Sequence, residues 1–128
     1  MEGLGRAADL LVVGAGPCGS FAALTSAKLG LEVEVREEHG EAGVPEHCPG
    51  HVTVDGLNLL GLKVPRRLVE NEIRGIRFYS PSGFELTFES EEPRVYLLDR
   101  RGFDDWLYRQ AEARGASFAF SSKVKKIT

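Results

Sequence analysis

Apolar positions near the N-terminus change from a short run to helical spacing and then to alternation. Residues 9–13 form a mostly apolar run that ends at a glycine, which predicts a buried strand. Residues 17–29 predict a helix, because Pro17 is tolerated in a first turn and Gly30 is placed to end the helix. Residues 31–38 alternate apolar and polar positions and predict a second strand. Together the three segments indicate a right-handed βαβ unit with parallel strands.

The rest of the chain is less regular. Residues 39–50 contain three glycines and two prolines and predict a loop, and residues 51–62 allow a short, imperfect helix. Residues 73–79 and 84–90 predict a β-hairpin across a Pro-Ser-Gly turn, and residues 95–98 predict one more strand. An amphipathic helix is expected between Asp99 and Gly115. The strand-like pieces 117–120 and 124–127 close the chain, and we expect these 128 residues to be the N-terminal part of a longer protein.

Length and charge narrow the class of protein. A chain of 128 residues is expected to form one domain, here predicted over residues 1–128. The net charge of −3 and the pI near 5.6 argue against nucleic acid as a partner. No apolar run approaches the roughly 20 residues that span a bilayer, and residues 1–9 lack the pattern of a signal peptide. With only two cysteines as well, an intracellular, cytoplasmic protein is expected.

The glycine pattern between the first strand and the first helix predicts a dinucleotide site. Gly14 is expected to make the tight turn, Gly16 to let the backbone approach a pyrophosphate, and Gly19 to let the helix pack closely. The helix N-terminus supplies partial positive charge for the phosphates. A tight turn without a ligand is the less favoured alternative, since the motif follows a strand and opens a helix.

An acidic residue after the second strand supports this interpretation. Glu37 lies 18 residues after Gly19, where a carboxylate accepts hydrogen bonds from a ribose 2′-OH. Glu38 is adjacent and is an alternative acceptor, while Arg36 is a weak indication of a 2′-phosphate. The motif alone does not separate NAD from FAD.

Four stretches of the chain resemble the geranylgeranyl reductase family, FAD-dependent enzymes within the p-hydroxybenzoate-hydroxylase-like flavoproteins. They are DLLVVGAGPCGSFAALTSAKLGLEVEVREE, GVPEHCPGH, IRGIRFYSPSGFE and VYLLDRRGFDDWLYRQAEARGA. The resemblance covers roughly residues 9–127. It implies a Rossmann-like FAD-binding α/β domain with an added β-hairpin, truncated before the substrate domain. It further implies reduction of carbon–carbon double bonds in geranylgeranyl chains, with an isoprenoid lipid as substrate and an external donor such as NAD(P)H or ferredoxin.

The resemblance also assigns residues. Gly14, Gly16, Pro17 and Gly19 would contact the pyrophosphate of FAD, and Glu37 the adenosine ribose. The remaining positions, expected beside the flavin and ribitol or near the phosphate, are Cys48, Pro49, His51 and Arg100. Cys48 would be the catalytic residue, and an inert loop cysteine is its alternative.

The loop around Cys48 departs from the family pattern. Relatives often have Cys-Gly-(Glu/Asp)-Gly, whereas this chain has Cys48-Pro49-Gly50-His51, in which proline removes an N–H and fixes φ. His47, Cys48 and His51 also suggest a metal site, but without a second ligand pair no metal is expected. Arg66 and Arg67 are expected on a solvated face, with peripheral contact to acidic lipid headgroups as the alternative.

Two other functions remain open at this point. An aromatic-hydroxylase-like monooxygenase or halogenase would use the same glycine loop with a different substrate domain. A stand-alone, non-catalytic dinucleotide-binding module would be complete at this length.

Overall fold

The structure, a computed structural model, describes residues 7–127. The expectation about a signal peptide rests on residues 1–9, of which residues 1–6 lie outside the described part. The helices and strands are, in chain order, β1 (Leu10–Val13), α1 (Pro17–Lys28), β2 (Val33–Arg36), β3 (His51–Thr53), α2 (Val54–Leu59), a 3₁₀ helix (Arg66–Leu68), β4 (Val69–Ile73), β5 (Gly75–Tyr79), β6 (Glu85–Glu89), β7 (Val95–Leu98), α3 (Arg100–Ala113) and β8 (Ser117–Ala119). Within residues 7–127 no helix combines the length and apolar character needed to cross a membrane.

The chain forms two compact units, and the single domain predicted over residues 1–128 stays a prediction. The first unit contains the residues up to Glu46 together with those from Arg101 onward. The second unit is the intervening segment His47–Arg100. Each unit has its own sheet and its own buried residues.

The first unit is a βαβ fold built on a parallel sheet in the order β1-β2-β8. β1 pairs with β2 in parallel, with Leu10 opposite Val33, and α1 packs against both strands. Val33 and Val35 on β2 are 3% and 0% exposed, because alternation turns both to the covered face. Ala23 on α1 is likewise fully buried. The predicted Rossmann-like α/β fold is confirmed.

The second unit holds an antiparallel sheet in the order β3-β7-β4. The helix predicted over residues 51–62 is wrong at its start, because the first three residues form β3 and pair with β7. Thr53 then begins α2: its Oγ1 accepts a hydrogen bond from the backbone N–H of Gly56 at 3.2 Å. The strand predicted over residues 73–79 is divided, since Ile73 ends β4 and Gly75 begins β5. No strand was predicted for the rest of β4.

The β5–β6 hairpin predicted from the Pro-Ser-Gly turn is present in the second unit. Ile76 lies opposite Phe88 and Phe78 opposite Leu86, so alternation puts the four apolar side chains on one face. These side chains are between 45% and 56% exposed. Residues 124–127, predicted as strand-like, carry no strand in the structure.

Candidate functional site

The glycine loop joins β1 to α1, and the fold requires two of its three glycines, each for a different reason. Gly14 has φ +100°, a left-handed conformation that favours glycine, and its N–H donates to the Arg36 carbonyl at 2.8 Å. A Cβ at Gly19 would lie 1.9 Å from the Gly14 carbonyl oxygen, so this glycine permits close packing of the helix on the loop. These two positions serve the fold itself.

Gly16 differs from the other two glycines of the loop. Its φ of −68° and ψ of −179° are accessible to any residue, and a Cβ placed there would have no atom within 4 Å. Neither backbone strain nor a close contact therefore requires a glycine at this position. Open space beside a bare backbone is what close approach of a phosphate requires. Among residues 17–20 no acidic side chain neutralises the partial positive charge at the N-terminus of α1.

Glu37, the predicted ribose acceptor, also contacts the glycine loop. Its Oε2 accepts a hydrogen bond from the Ala15 backbone N–H at 2.8 Å. Its Oε1 accepts from the His39 N–H at 2.9 Å and lies 2.7 Å from His39 Nδ1. Partial burial raises the pKa of Glu37, but the hydrogen bonds from Ala15 and His39 outweigh it, so the pKa lies below its ordinary value. The carboxylate is therefore held ionised.

A small open cavity of about 110 Å³ lies at the carboxyl ends of β1 and β2. This edge is where open α/β sheets bind ligands. Glu38 on the rim of the cavity is paired with Lys123, whose Nζ lies 2.6 Å from Glu38 Oε2. The lining residues are Val13, Gly14, Glu37, Glu38, Lys123 and Val124. Lys123 and Val124 were missed by the sequence prediction, because residues 124–127 looked like a strand and the Glu38–Lys123 pair spans 85 positions.

The loop containing Cys48 belongs to the second unit and is fixed to β7 through Gly50. Gly50 has φ +85°, and a Cβ there would lie 2.2 Å from the Leu98 carbonyl oxygen. The Leu98 N–H donates to the Gly50 carbonyl at 2.9 Å. Cys48 lies two residues before Gly50 and Arg100 two residues after Leu98. Both therefore lie at the same end of the β3–β7 pair.

The remaining side chains of this loop differ in exposure. Cys48 is half-buried, and Pro49 and His51 are exposed, His51 as the first residue of β3. Arg100, half-buried, is the first residue of α3. Within the described part of the chain, no three His, Cys, Asp or Glu side chains are grouped to hold a metal ion.

The nine predicted site residues divide between the two units. Gly14, Gly16, Pro17, Gly19 and Glu37 lie in the first unit, around one loop and one strand end. The other four, Cys48, Pro49, His51 and Arg100, lie in the second. The ligand contacts assigned to all nine stay predictions.

The first unit has the fold and the glycine loop of dinucleotide-binding oxidoreductases, and comparison with known proteins narrows this class. The chain is 37% identical over 118 residues to digeranylgeranylglycerophospholipid reductase 2 of Methanopyrus kandleri, covering 92% of this chain and 29% of that protein. No family model matches the chain. The chain thus spans about 30% of the curated relatives it matches, at their N-terminal part.

Solved structures also point to reductases of geranylgeranyl groups. The geranylgeranyl bacteriochlorophyll reductase-like protein of Thermoplasma acidophilum superposes with a TM-score of 0.83 at 36% identity, over 89% of this chain and 30% of that one. A myxobacterial chondrochloren halogenase, one of the FAD-dependent halogenases, superposes with a TM-score of 0.66 at 25% identity, over 89% of this chain and 28% of that one. The predicted resemblance to geranylgeranyl reductases is confirmed: the chain is related to the N-terminal part of reductases of this type.

Proposed function

We propose that this chain is the FAD-binding N-terminal part of a reductase that hydrogenates carbon–carbon double bonds in the geranylgeranyl chains of isoprenoid lipids. The observation that carries the proposal is the open space at Gly16, which neither strain nor a close contact requires and which a bound pyrophosphate would fill. The names of the relatives, at 37% and 36% identity, supply the reaction class.

The residues of the first unit fit the adenosine and pyrophosphate end of FAD. The loop from Gly14 to Gly19 presents bare backbone, and α1 adds the partial positive charge of its N-terminus. Glu37 is ionised and lies at the carboxyl end of β2, where it would accept a ribose hydroxyl. Bound and reduced, FAD would supply the hydride for one carbon of the double bond, and a proton would add to the other carbon. The protein's part is binding, orientation and exclusion of water.

In the second unit, Cys48 is the proposed catalytic residue, because the resemblance to the reductases assigns it that role. It is half-buried on a loop whose backbone is fixed to β7. Pro49 and His51, on the same loop, would lie beside the flavin and ribitol, and Arg100 would meet the phosphate or ribitol as a fixed cation. An external electron donor, such as NAD(P)H or ferredoxin, would reduce the flavin. The proposed location is the cytoplasm, with peripheral contact to the membrane that holds the lipid.

A flavin-dependent monooxygenase or halogenase is the second candidate. The structural similarity to an FAD-dependent halogenase at 25% identity supports this second candidate. The two candidates differ in their use of oxygen: a monooxygenase consumes it when its substrate is present, whereas the proposed reductase transfers hydride without it.

The test uses the purified intact protein. We expect a flavin absorption spectrum and, under anaerobic conditions with a chemical reductant, saturation of a geranylgeranyl lipid. Substrate-stimulated oxygen consumption in air, without lipid saturation, would instead support the monooxygenase. A folded protein that neither carries nor takes up flavin contradicts both candidates and supports the non-catalytic module.

A further inference from the structure

Ser20, directly after Gly19, has a side chain that the predicted site does not use. The residue is fully buried, at 0% exposure. Its hydroxyl donates a hydrogen bond to the Ala15 carbonyl at 3.1 Å, and its backbone N–H donates to the Gly16 carbonyl at 2.9 Å. A helical serine commonly bonds the carbonyl three or four residues back. Here the bond spans five residues and reaches out of the helix, so Ser20 holds two consecutive carbonyls of the glycine loop.

The direction of a carbonyl fixes the direction of the next N–H. In a trans peptide the C=O and N–H bonds point in opposite directions, and the bond from Ala15 to Gly16 is trans. Since the Ala15 carbonyl points at buried Ser20, the Gly16 N–H points away from Ser20. Gly16 also borders open space. Ser20 thus turns this N–H away from the buried side of the loop.

The peptide on the other side of Ala15 is held as well. Glu37 accepts the Ala15 N–H at 2.8 Å, while Ser20 binds the Ala15 carbonyl. Ala15 itself is 1% exposed. The two peptide groups flanking Ala15 are therefore both fixed by side chains, one from α1 and one from the end of β2.

We propose that Ser20 is a positioning residue for the pyrophosphate: acting through the Ala15 carbonyl, it aims the Gly16 N–H at the phosphate of a bound dinucleotide. The inference rests on the proposed function, in which this loop binds FAD. Pyrophosphate binding then requires the Ser20 hydroxyl, because its loss frees the Ala15–Gly16 peptide to rotate. Ligands with a pyrophosphate then lose affinity, whereas adenosine, which has no phosphate, does not.

The experiment measures FAD binding by the intact protein, with ADP and adenosine as competitors. For Ser20→Ala we expect FAD and ADP to bind about tenfold more weakly, the effect of one buried hydrogen bond, and adenosine to bind as to the wild type. Ser20→Cys, which keeps the size and a weak donor, should be intermediate, and it provides the test if Ser20→Ala does not fold. Ser26→Ala, in the same helix, is the matched control and should leave all three affinities unchanged.

Two outcomes overturn the inference alone. Unchanged FAD and ADP affinity in both Ser20 variants shows that the hydroxyl does not aim the loop. An equal loss for adenosine shows a general structural effect. A folded wild-type protein that binds neither FAD nor ADP is a different result, since it contradicts the proposed function and the inference together.

Discussion

The carboxylate of Glu37 accepts the backbone N–H of Ala15 at 2.8 Å, which joins the end of β2 to the glycine loop across 22 positions of the chain. The same carboxylate accepts the N–H of His39 and contacts its ring. An ionised carboxylate has about four acceptor positions, so three protein donors leave room for one more. Glu37 therefore holds the loop and retains one acceptor position, where we propose that a ribose hydroxyl binds.

Stability should depend on pH through Glu37. Because its pKa is lowered on folding, the unfolded chain binds more protons than the native protein between that value and 4.5, so stability rises with pH there. This contribution is fully present above 4.5 and is lost as the pH falls through the lowered pKa. His39, Glu38 and Lys123 are the neighbouring charged or titratable groups.

Denaturant titrations of the apoprotein from about pH 6 to about pH 3 measure this effect, in the range where carboxylates titrate. Glu37→Gln should lose stability near neutral pH and show a shallower decline in acid. The matched control is Glu91→Gln, at an exposed position, which should keep the wild-type slope. The same slope for Glu37→Gln and the wild type would contradict the account.

Glu37 substitutions should also weaken FAD retention. Glu37→Ala removes the loop contact and the ribose acceptor, so we expect the larger loss of bound flavin. Glu37→Gln keeps an oxygen for one N–H but loses the charge, so we expect a loss of about five- to tenfold in affinity, the difference between a charged and a neutral hydrogen bond. Flavin content after gel filtration measures both, and full occupancy in Glu37→Ala excludes the ribose role.

Gly19→Ala should destabilise the fold. The added Cβ would lie 1.9 Å from the Gly14 carbonyl oxygen, a backbone atom that moves only with the loop. We expect a loss of about 2 kcal/mol in the free energy of unfolding, typical of overpacking. Gly40→Ala is the control, because its Cβ meets nothing closer than 3.8 Å. Equal denaturation midpoints for the two variants would show that α1 does not need this close approach.

Cys48→Ala should lower turnover more than flavin content. The side chain is half-buried on a loop fixed to β7 through Gly50, so the substitution removes the thiol and leaves that contact intact. The ratio of lipid reduction rate to bound FAD, measured for the intact protein, separates the two effects. Cys48→Ser is the conservative comparison, and wild-type turnover in both variants would make Cys48 an inert loop residue.

The first unit was predictable because its signals are local. A short apolar run, a glycine, a proline at the first helical position and an alternating second run lie within residues 9–38 and specify β1, α1 and β2. One prediction for this unit, a strand-like piece at residues 124–127, is wrong. The V-K-K-I segment suggested a strand, but its polar pair breaks the period of two, and in the structure Val124 lines the cavity instead.

The β3-β7-β4 sheet of the second unit and the finer contacts of the site depend on distant pairing, whereas the β5–β6 hairpin had a local turn signal. β3 has only three residues and pairs with β7 more than 40 positions away, so nothing near His51 reveals a strand. The sequence motif assigns Glu37 to a ribose and says nothing of Ala15, because a hydrogen bond to a backbone N–H leaves no trace in residue identity. Ser20 was missed for the same reason.

The most direct test of the central claim compares FAD binding by the intact wild-type protein and Gly16→Ala. The fold has room for this Cβ and Gly16 already has an accessible φ, so we expect the variant's stability to change by less than about 1 kcal/mol. The same Cβ would stand in the approach of the pyrophosphate, so FAD affinity should fall by more than about tenfold. Gly40→Ala, the control, should bind as the wild type. A stable Gly16→Ala protein that binds FAD with wild-type affinity would contradict the account.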